Sequence, residues 1–255
     1  MKFSDSGIII GVRKYSESSL IVKVLSENHG LYSGFVRGGT SSPKNRAIYQ
    51  NFNLVDFEWS AKVEDNLGFF KIELKKSFLA QIISSPIKLT ALGILSLIIE
   101  ENIQEREPSE EIFPSLFDLL KSLNLEDEAF LQKYIKFEIE LLKILGYGID
   151  LSSCAATGVT TNLHFVSPKS ARAVCLESGE EYRNKLLILP QFLLIEENIE
   201  NSQEDLRNGL KLTGFFIDKF LTKVPRNGTL VENFSSRNQL LRMLEKKLEV
   251  ELSPN

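Results

Sequence analysis

The chain has 255 residues, 43% hydrophobic and 25% charged, with a formal net charge of −4 and two cysteines. These proportions describe a globular protein with chain enough for two or three domains, and they exclude long disorder and a disulfide-stapled scaffold. The longest apolar runs, Ile87 to Ile99 and Phe215 to Leu221, are interrupted by polar residues and fall short of the ~20 that cross a bilayer. The start carries no signal-peptide core, so a reducing cytoplasm is the expected compartment and a membrane is not an expected partner.

The first 80 residues are β-rich. Gly7–Arg13, Ser19–Leu25, Leu31–Arg37, Phe52–Trp59 and Leu67–Leu74 alternate or run in β-branched and aromatic residues, and Asn28-His29-Gly30 is a turn signal. Gly38 to Pro43 joins the third and fourth runs as a polar loop, expected to be long and flexible. Five short strands suit a small closed barrel of OB type, whose face and loops bind single-stranded nucleic acid; an SH3-like barrel fits the strand count nearly as well. This part holds eleven Lys and Arg against eight Asp and Glu, a balance of +3, which leaves −7 for the rest. No acid lies between Glu27 and Asp56, while Arg37, Lys44 and Arg46 do. A basic loop without counter-charges attracts polyanions, or is simply solvated.

From about Leu79 the period becomes helical. Phe78, Ile82, Ile83, Leu89, Leu92, Leu95 and Ile99 space like a buried helix pair interrupted at Pro86. Pro108 to Glu111 predicts a Ser-capped start for a helix over Ile112–Leu123. A helix over Glu128–Leu145 stops at Gly146 and Gly148, and two more cover Asp205–Leu221 and Ser236–Leu248, the last with a Ser236/Gln239 capping box. The expected fold class is α+β: a barrel over 1–78, then a mainly α-helical domain over 79–150 and 191–255 with a small β element, 151–190, inserted in it.

That insert frames two half-knuckles. Cys154 and Cys175 each begin a C-x2-C spacing whose second position is a hydroxyl, Thr157 and Ser178. A structural zinc site closes a tetrahedron with four thiolate or imidazole donors, and two hydroxyls are weak replacements, so zinc is not expected. Three readings compete: a metal-free ribbon remnant, two ordinary core cysteines, and a metal site completed by His164 or a carboxylate.

Gly11 to Leu20, with Tyr15, Ser16 and Glu17, then Gly30 and Val36-Arg37-Gly38-Gly39, resemble the opening of the RecO family of bacterial recombination mediators. Tyr134 to Glu138, Leu142 to Tyr147, Leu151 with Cys154, Phe165 with Ser167-Pro168 and Cys175, and Leu187 with Leu189-Pro190 continue the likeness in order over nearly the whole chain. The family has members with four zinc-binding cysteines and members without. Thr157 and Ser178 depart from the zinc form, as does the lack of a Gly-Gly pair near Ala171-Arg172.

The resemblance implies a DNA repair protein that is not an enzyme. It would bind single- and double-stranded DNA, anneal complementary strands without ATP and, with RecR, help RecA load on strands coated by single-stranded DNA-binding protein. The sequence agrees in lacking a Gly-x4-Gly-Lys-Ser/Thr phosphate loop and a Gly-x-Ser-x-Gly elbow. Arg37, Lys44 and Arg46, aided by Arg13 and Lys14, are the expected phosphate contacts, with Tyr15, Tyr32, Phe35 or Tyr49 as stacking faces and Trp59 in the core. Lys133, Lys136 and Lys143 are the candidate rim for the acidic, Phe-ended tail of single-stranded DNA-binding protein. No cofactor or small-molecule substrate is expected. The alternatives are an OB-fold adaptor for RNA or DNA without a recombination role, and a metal-dependent enzyme using Cys154, Cys175 and His164.

Overall fold

The computed structural model describes residues 1–63, 67–195, 202–221 and 237–245, which divide into two compact units, Met1–Asn124 and Leu125–Asn255. The first unit therefore takes in part of the 79–150 segment together with the barrel. Among the described residues no helix is long and apolar enough to cross a membrane.

In the first unit, β1 (Lys2–Lys14), β2 (Leu20–Ser26), β3 (Gly30–Val36), β4 (Leu54–Ser60) and β5 (Gly68–Lys76) close a barrel in the order β1-β2-β3-β5-β4. The long β1 serves two neighbours: its first half pairs with β4 and its second with β2, with a register shift between Ile9 and Gly11 where the strand changes partner. The parallel pairing of β3 with β5, Gly34 to Gly68 and Phe35 to Phe69, completes the Greek-key closure of an OB fold. Val22, Val24, Tyr32, Val55, Phe57, Trp59 and Phe70 fill the interior. The Trp59 indole is fully buried and donates to the Ser33 carbonyl at 3.0 Å, which satisfies its one polar group. Tyr32, a stacking candidate by sequence, is thus a core residue.

The Gly38–Pro43 loop is not structureless throughout. Ser42 accepts from the Asn45 N–H and Pro43 sits in the first turn of α1 (Pro43–Ile48), so Ser-Pro here is a helix start. Ile48 and Tyr49 pack on the barrel core from this helix, and burial raises the Tyr49 phenol.

At the start of β1, Asp5 ties the β2–β3 turn to its neighbour. Its carboxylate accepts from Ser26 Oγ, from His29 Nδ1 at 3.0 Å, and from Asn28 N and Nδ2, both at 2.9 Å. Burial alone would raise this carboxyl, but the hydrogen bonds outweigh it and bring it from 3.8 to about 2. A depressed carboxylate stabilises the fold above its unfolded value, so this contribution of about 2 kcal/mol is lost as pH falls from about 4 to about 2. Asp5→Ala is accordingly expected to lower barrel stability by that amount at neutral pH and to match the parent at the acid limit. The fluorescence of Trp59, the sole tryptophan, reports the transition.

Beyond the barrel, α2 (Pro86–Asn102) begins with Ser85 capping Lys88 and Pro86 in its first turn. Pro86 opens one helix and does not divide a pair: only a single 3-10 turn, Leu79–Gln81, precedes it, and Ile83 is 81% exposed. α3 (Ile112–Lys121) starts after Glu111 with no side-chain cap, so Ser109 does not play the role expected of it. α2 lies on the outside of the barrel, where Ser96 donates to the Ile10 carbonyl at 2.6 Å. α3 also lies against β1, and Leu31 bridges to Glu105 beyond α2; Ile8, Ile10 and Leu31 are fully buried although they lie outside the barrel core.

In the second unit, α4 (Asp127–Ile144) ends at Gly146, which takes the positive φ of 84° that a helix terminus favours. β6 (Leu163–Val166), β7 (Ala173–Cys175) and β8 (Leu187–Ile188) form a three-stranded ribbon in the order β7-β6-β8, with the short α5 (Leu176–Gly179) following β7. α6 (Gln203–Phe220) begins two residues earlier than the expected Asp205, on a reciprocal capping box of Ser202 and Asp205. Residues 237–245 are helical; Ser236 lies outside the described residues.

One polar network is sealed inside this unit. Glu138 is fully buried on α4, and Arg237 reaches it with Nη1 and Nη2 at 2.6 and 2.8 Å. Arg237 also donates to the Leu210 carbonyl at 2.9 Å and to Thr213 Oγ1 at 2.7 Å. Burial alone would lower the guanidinium, but the facing carboxylate holds it firmly protonated. Gly214 leaves the space: a Cβ there would stand 2.5 Å from Arg237 Nε.

Candidate functional site

The outer face of the barrel is divided. α2 covers one part; the part toward the end of β1 is open. Strand register places Arg13 of β1 opposite Ile21 of β2, Ile21 opposite Phe35 of β3, and Phe35 opposite Phe69 of β5, a single row across four strands. Tyr15, 63% exposed, meets Phe35 edge-on at 4.9 Å between ring centroids, and Phe35 meets Phe69 at 5.8 Å. Arg37 lies over the Phe69 ring at 4.9 Å.

Phe69 is the residue that sequence reasoning missed. The signal was present: Phe69 and Phe70 are adjacent on one strand, and side chains alternate across a sheet, so one ring had to face outward. Phe70 is in the core and Phe69 is 45% exposed.

The basic residues gather at the same end. Lys14 pairs in register with Leu20, and Leu20 with Val36, so Lys14 and Arg37 flank neighbouring strand ends. The Gly38–Ser42 loop is pinned to the β1–β2 turn by Thr40, whose hydroxyl donates to the Glu17 carbonyl at 2.8 Å. Lys44 and Arg46 are exposed on α1. Arg46 gives one N–H to the Thr40 carbonyl at 3.1 Å, which fixes the guanidinium while leaving it donors to spare. Arg13 differs from the others: it pairs with Glu100 of α2 at 3.0 Å.

In the second unit Lys133, Lys136 and Lys143 follow one stripe of α4. Lys136 donates to the Ile195 carbonyl at 3.0 Å and Lys143 pairs with Glu140 at 3.1 Å. Lys133 is half-buried.

The ribbon brings all four frame positions together. Cys154 Sγ lies 3.4 Å from Cys175 Sγ; Thr157 Oγ1 and Ser178 Oγ lie 3.7 and 3.5 Å from Cys175 Sγ. Burial pushes the Cys154 thiol up, yet hydrogen bonds from the Thr157 hydroxyl and from the N–H groups of Cys175, Ala156 and Thr157 outweigh it and bring it to about 6. The donor set does not fit zinc: two oxygens are neutral hydroxyls, and sulfurs on a tetrahedral zinc stand about 3.8 Å apart with bonds of about 2.3 Å. His164 does not complete the set, since its Nε2 bonds Asn162 Oδ1 at 3.0 Å, and among the described residues no three His, Cys, Asp or Glu side chains come together as a metal site.

Two family models match the chain, Recombination protein O N terminal over residues 1–78 and Recombination protein O C terminal over residues 83–228. The chain is 41% identical over 221 residues to a DNA repair protein RecO of Rickettsia canadensis (strain McKiel), covering 87% of this chain and 90% of that one. It is 42% identical over 221 residues to the protein of that name from Rickettsia akari (strain Hartford), with 87% and 91% covered. The match to the one from Bartonella tribocorum (strain CIP 105476 / IBS 506) is 38% over 254 residues, or 98% of each chain. The chain belongs to the RecO family of DNA repair and recombination proteins.

Proposed function

We propose, from membership of the RecO family, that this chain is a recombination mediator. It binds single- and double-stranded DNA through the barrel, anneals complementary strands without ATP or catalytic residues and, with RecR, helps RecA load on strands coated by single-stranded DNA-binding protein. The observation that carries this reading is the open row Arg13–Ile21–Phe35–Phe69, with Tyr15 and Arg37 beside it and basic residues at the same barrel end. Aromatic faces next to cations suit single strands, because every base has a stackable face and every nucleotide a phosphate. Neither contact depends on sequence, as befits a protein that must act anywhere on a chromosome.

In this reading Lys14, Arg37, Lys44 and Arg46 take phosphates directly, and Arg13 does so at the expense of its pairing with Glu100. Lys133, Lys136 and Lys143 offer cations to the acidic tail of single-stranded DNA-binding protein. The ribbon works without zinc or any other cofactor, no small-molecule substrate is involved, and the protein acts in the cytoplasm, at the nucleoid.

The experiment is annealing of two complementary labelled strands, each precoated with single-stranded DNA-binding protein, with and without this chain and in the absence of ATP. Acceleration that weakens as salt rises supports the mediator role; no acceleration on coated or naked strands, or a preference for RNA, overturns it in favour of an adaptor. The four direct phosphate contacts, leaving aside Arg13, predict that log affinity for a single strand falls against log salt with a slope of about −3. Replacing Arg37 and Arg46 together with Ala is expected to flatten that slope by about 1.4, and an unchanged slope removes both from the DNA surface.

A further inference from the structure

The two thiols of the ribbon have no part in the DNA reading, yet their geometry is specific. We propose that Cys154 and Cys175 form an oxidative modification site, a dithiol that a hydroperoxide converts to a disulfide joining the two knuckles.

The backbone holds the two sulfurs in register. Cys175 closes β7 opposite Leu163, and the Cys154 turn docks on that strand through Ala155 N–H to the Ala173 carbonyl at 2.7 Å. The turn is itself closed by Cys154 N–H to the Val159 carbonyl and by Gly158 N–H to the Cys154 carbonyl, both at 2.8 Å. With the sulfurs 3.4 Å apart and a bond length of about 2.0 Å, closure needs a side-chain movement of about 1.4 Å and no change of strand register. Two cysteines with no other partner of their kind also leave no competing pairing within the chain.

The chemistry balances in two steps. The Cys154 sulfur attacks one peroxide oxygen, the O–O bond breaks, and the departing oxygen takes up the thiol proton as water or an alcohol, leaving a sulfenic acid. The Cys175 sulfur then displaces the sulfenic hydroxyl; the S–S bond forms and the hydroxyl leaves as water with the Cys175 proton. Together the two thiols lose two electrons and the peroxide gains them. Both sulfurs are buried, beneath exposed Thr157 and half-buried Ser178, so the reaction waits on opening of the Cys154–Gly158 turn. A link of this kind in a reducing compartment is transient, as expected for a response to oxidant.

The test uses the full chain in native buffer. Hydrogen peroxide is added, the reaction is quenched with acid, free thiols are alkylated in denaturant, and peptides are mapped by mass. The expected product is a Cys154–Cys175 linked peptide lighter by two hydrogens, without chain dimers, reversed by dithiothreitol and formed with unchanged far-UV circular dichroism. Recovery of both cysteines fully alkylated, or of one as sulfinic or sulfonic acid without a link, overturns the proposal. Trapping with a sulfenic-acid reagent is expected to label Cys154 in Cys175→Ser; the wild-type map decides the proposal even where that variant does not fold.

Discussion

Glu138→Ala is expected to destabilise the second unit by about 3–5 kcal/mol, the largest single effect of any substitution considered. The cost does not measure the attraction of the pair. It arises because the Arg237 guanidinium stays behind in a buried site, with the carboxylate that compensated it removed. Two further changes separate these contributions. Replacing Glu138 and Arg237 together with Met removes both charges and is expected to recover most of the loss. Gly214→Ala keeps the pair but drives a Cβ against Arg237 Nε, and is expected to be destabilising as well. Trp59 lies in the first unit, so its fluorescence leaves this transition unreported. The far-UV circular dichroism curve in urea should therefore shift to lower denaturant in Glu138→Ala while the fluorescence curve stays in place. Coincident shifts of both curves would show that the two units unfold together.

Replacing Tyr15 and Phe69 together with Ala is expected to weaken single-strand binding by tenfold or more, from about 1–3 kcal/mol per stacked base. Both rings are exposed and neither substitution removes a cation, so barrel stability and the salt slope should change little. That pattern, lower affinity at constant slope, distinguishes stacking from phosphate contact and is the converse of the Arg37/Arg46 result. An unchanged affinity would assign the aromatic strip to a protein partner in place of DNA.

Much of the fold was legible because its signals are local. Five alternating runs marked the strands, although β1 starts at Lys2 and not at the expected Gly7, and Gly146 marked the end of α4 through a backbone conformation that other residues adopt only at a cost. Errors came where one local signal admits two outcomes. Pro86 breaks a helix interior but also opens a helix, and the Ser85 side chain decided between them by capping it. Ser42-Pro43 posed the same ambiguity and was resolved the same way. The α6 capping box was present in the sequence at Ser202 and Asp205 and was simply overlooked.

What the sequence by itself determined was the class of parts: a basic β-rich segment, amphipathic helices, a ribbon frame with two thiols and two hydroxyls, and motifs ordered as in the RecO family. These depend on residue type and on spacing along the chain. What only the tertiary structure decided was which residues are neighbours across it. Barrel closure through the parallel β3–β5 pairing aligned Arg13, Ile21, Phe35 and Phe69, and α2 covered part of that face while pairing Glu100 with Arg13. Arg237 found Glu138 from 99 residues away. Contacts at such separations carry no periodicity for a sequence to display, because they are selected by the burial of whole faces and not by the preferences of neighbouring residues.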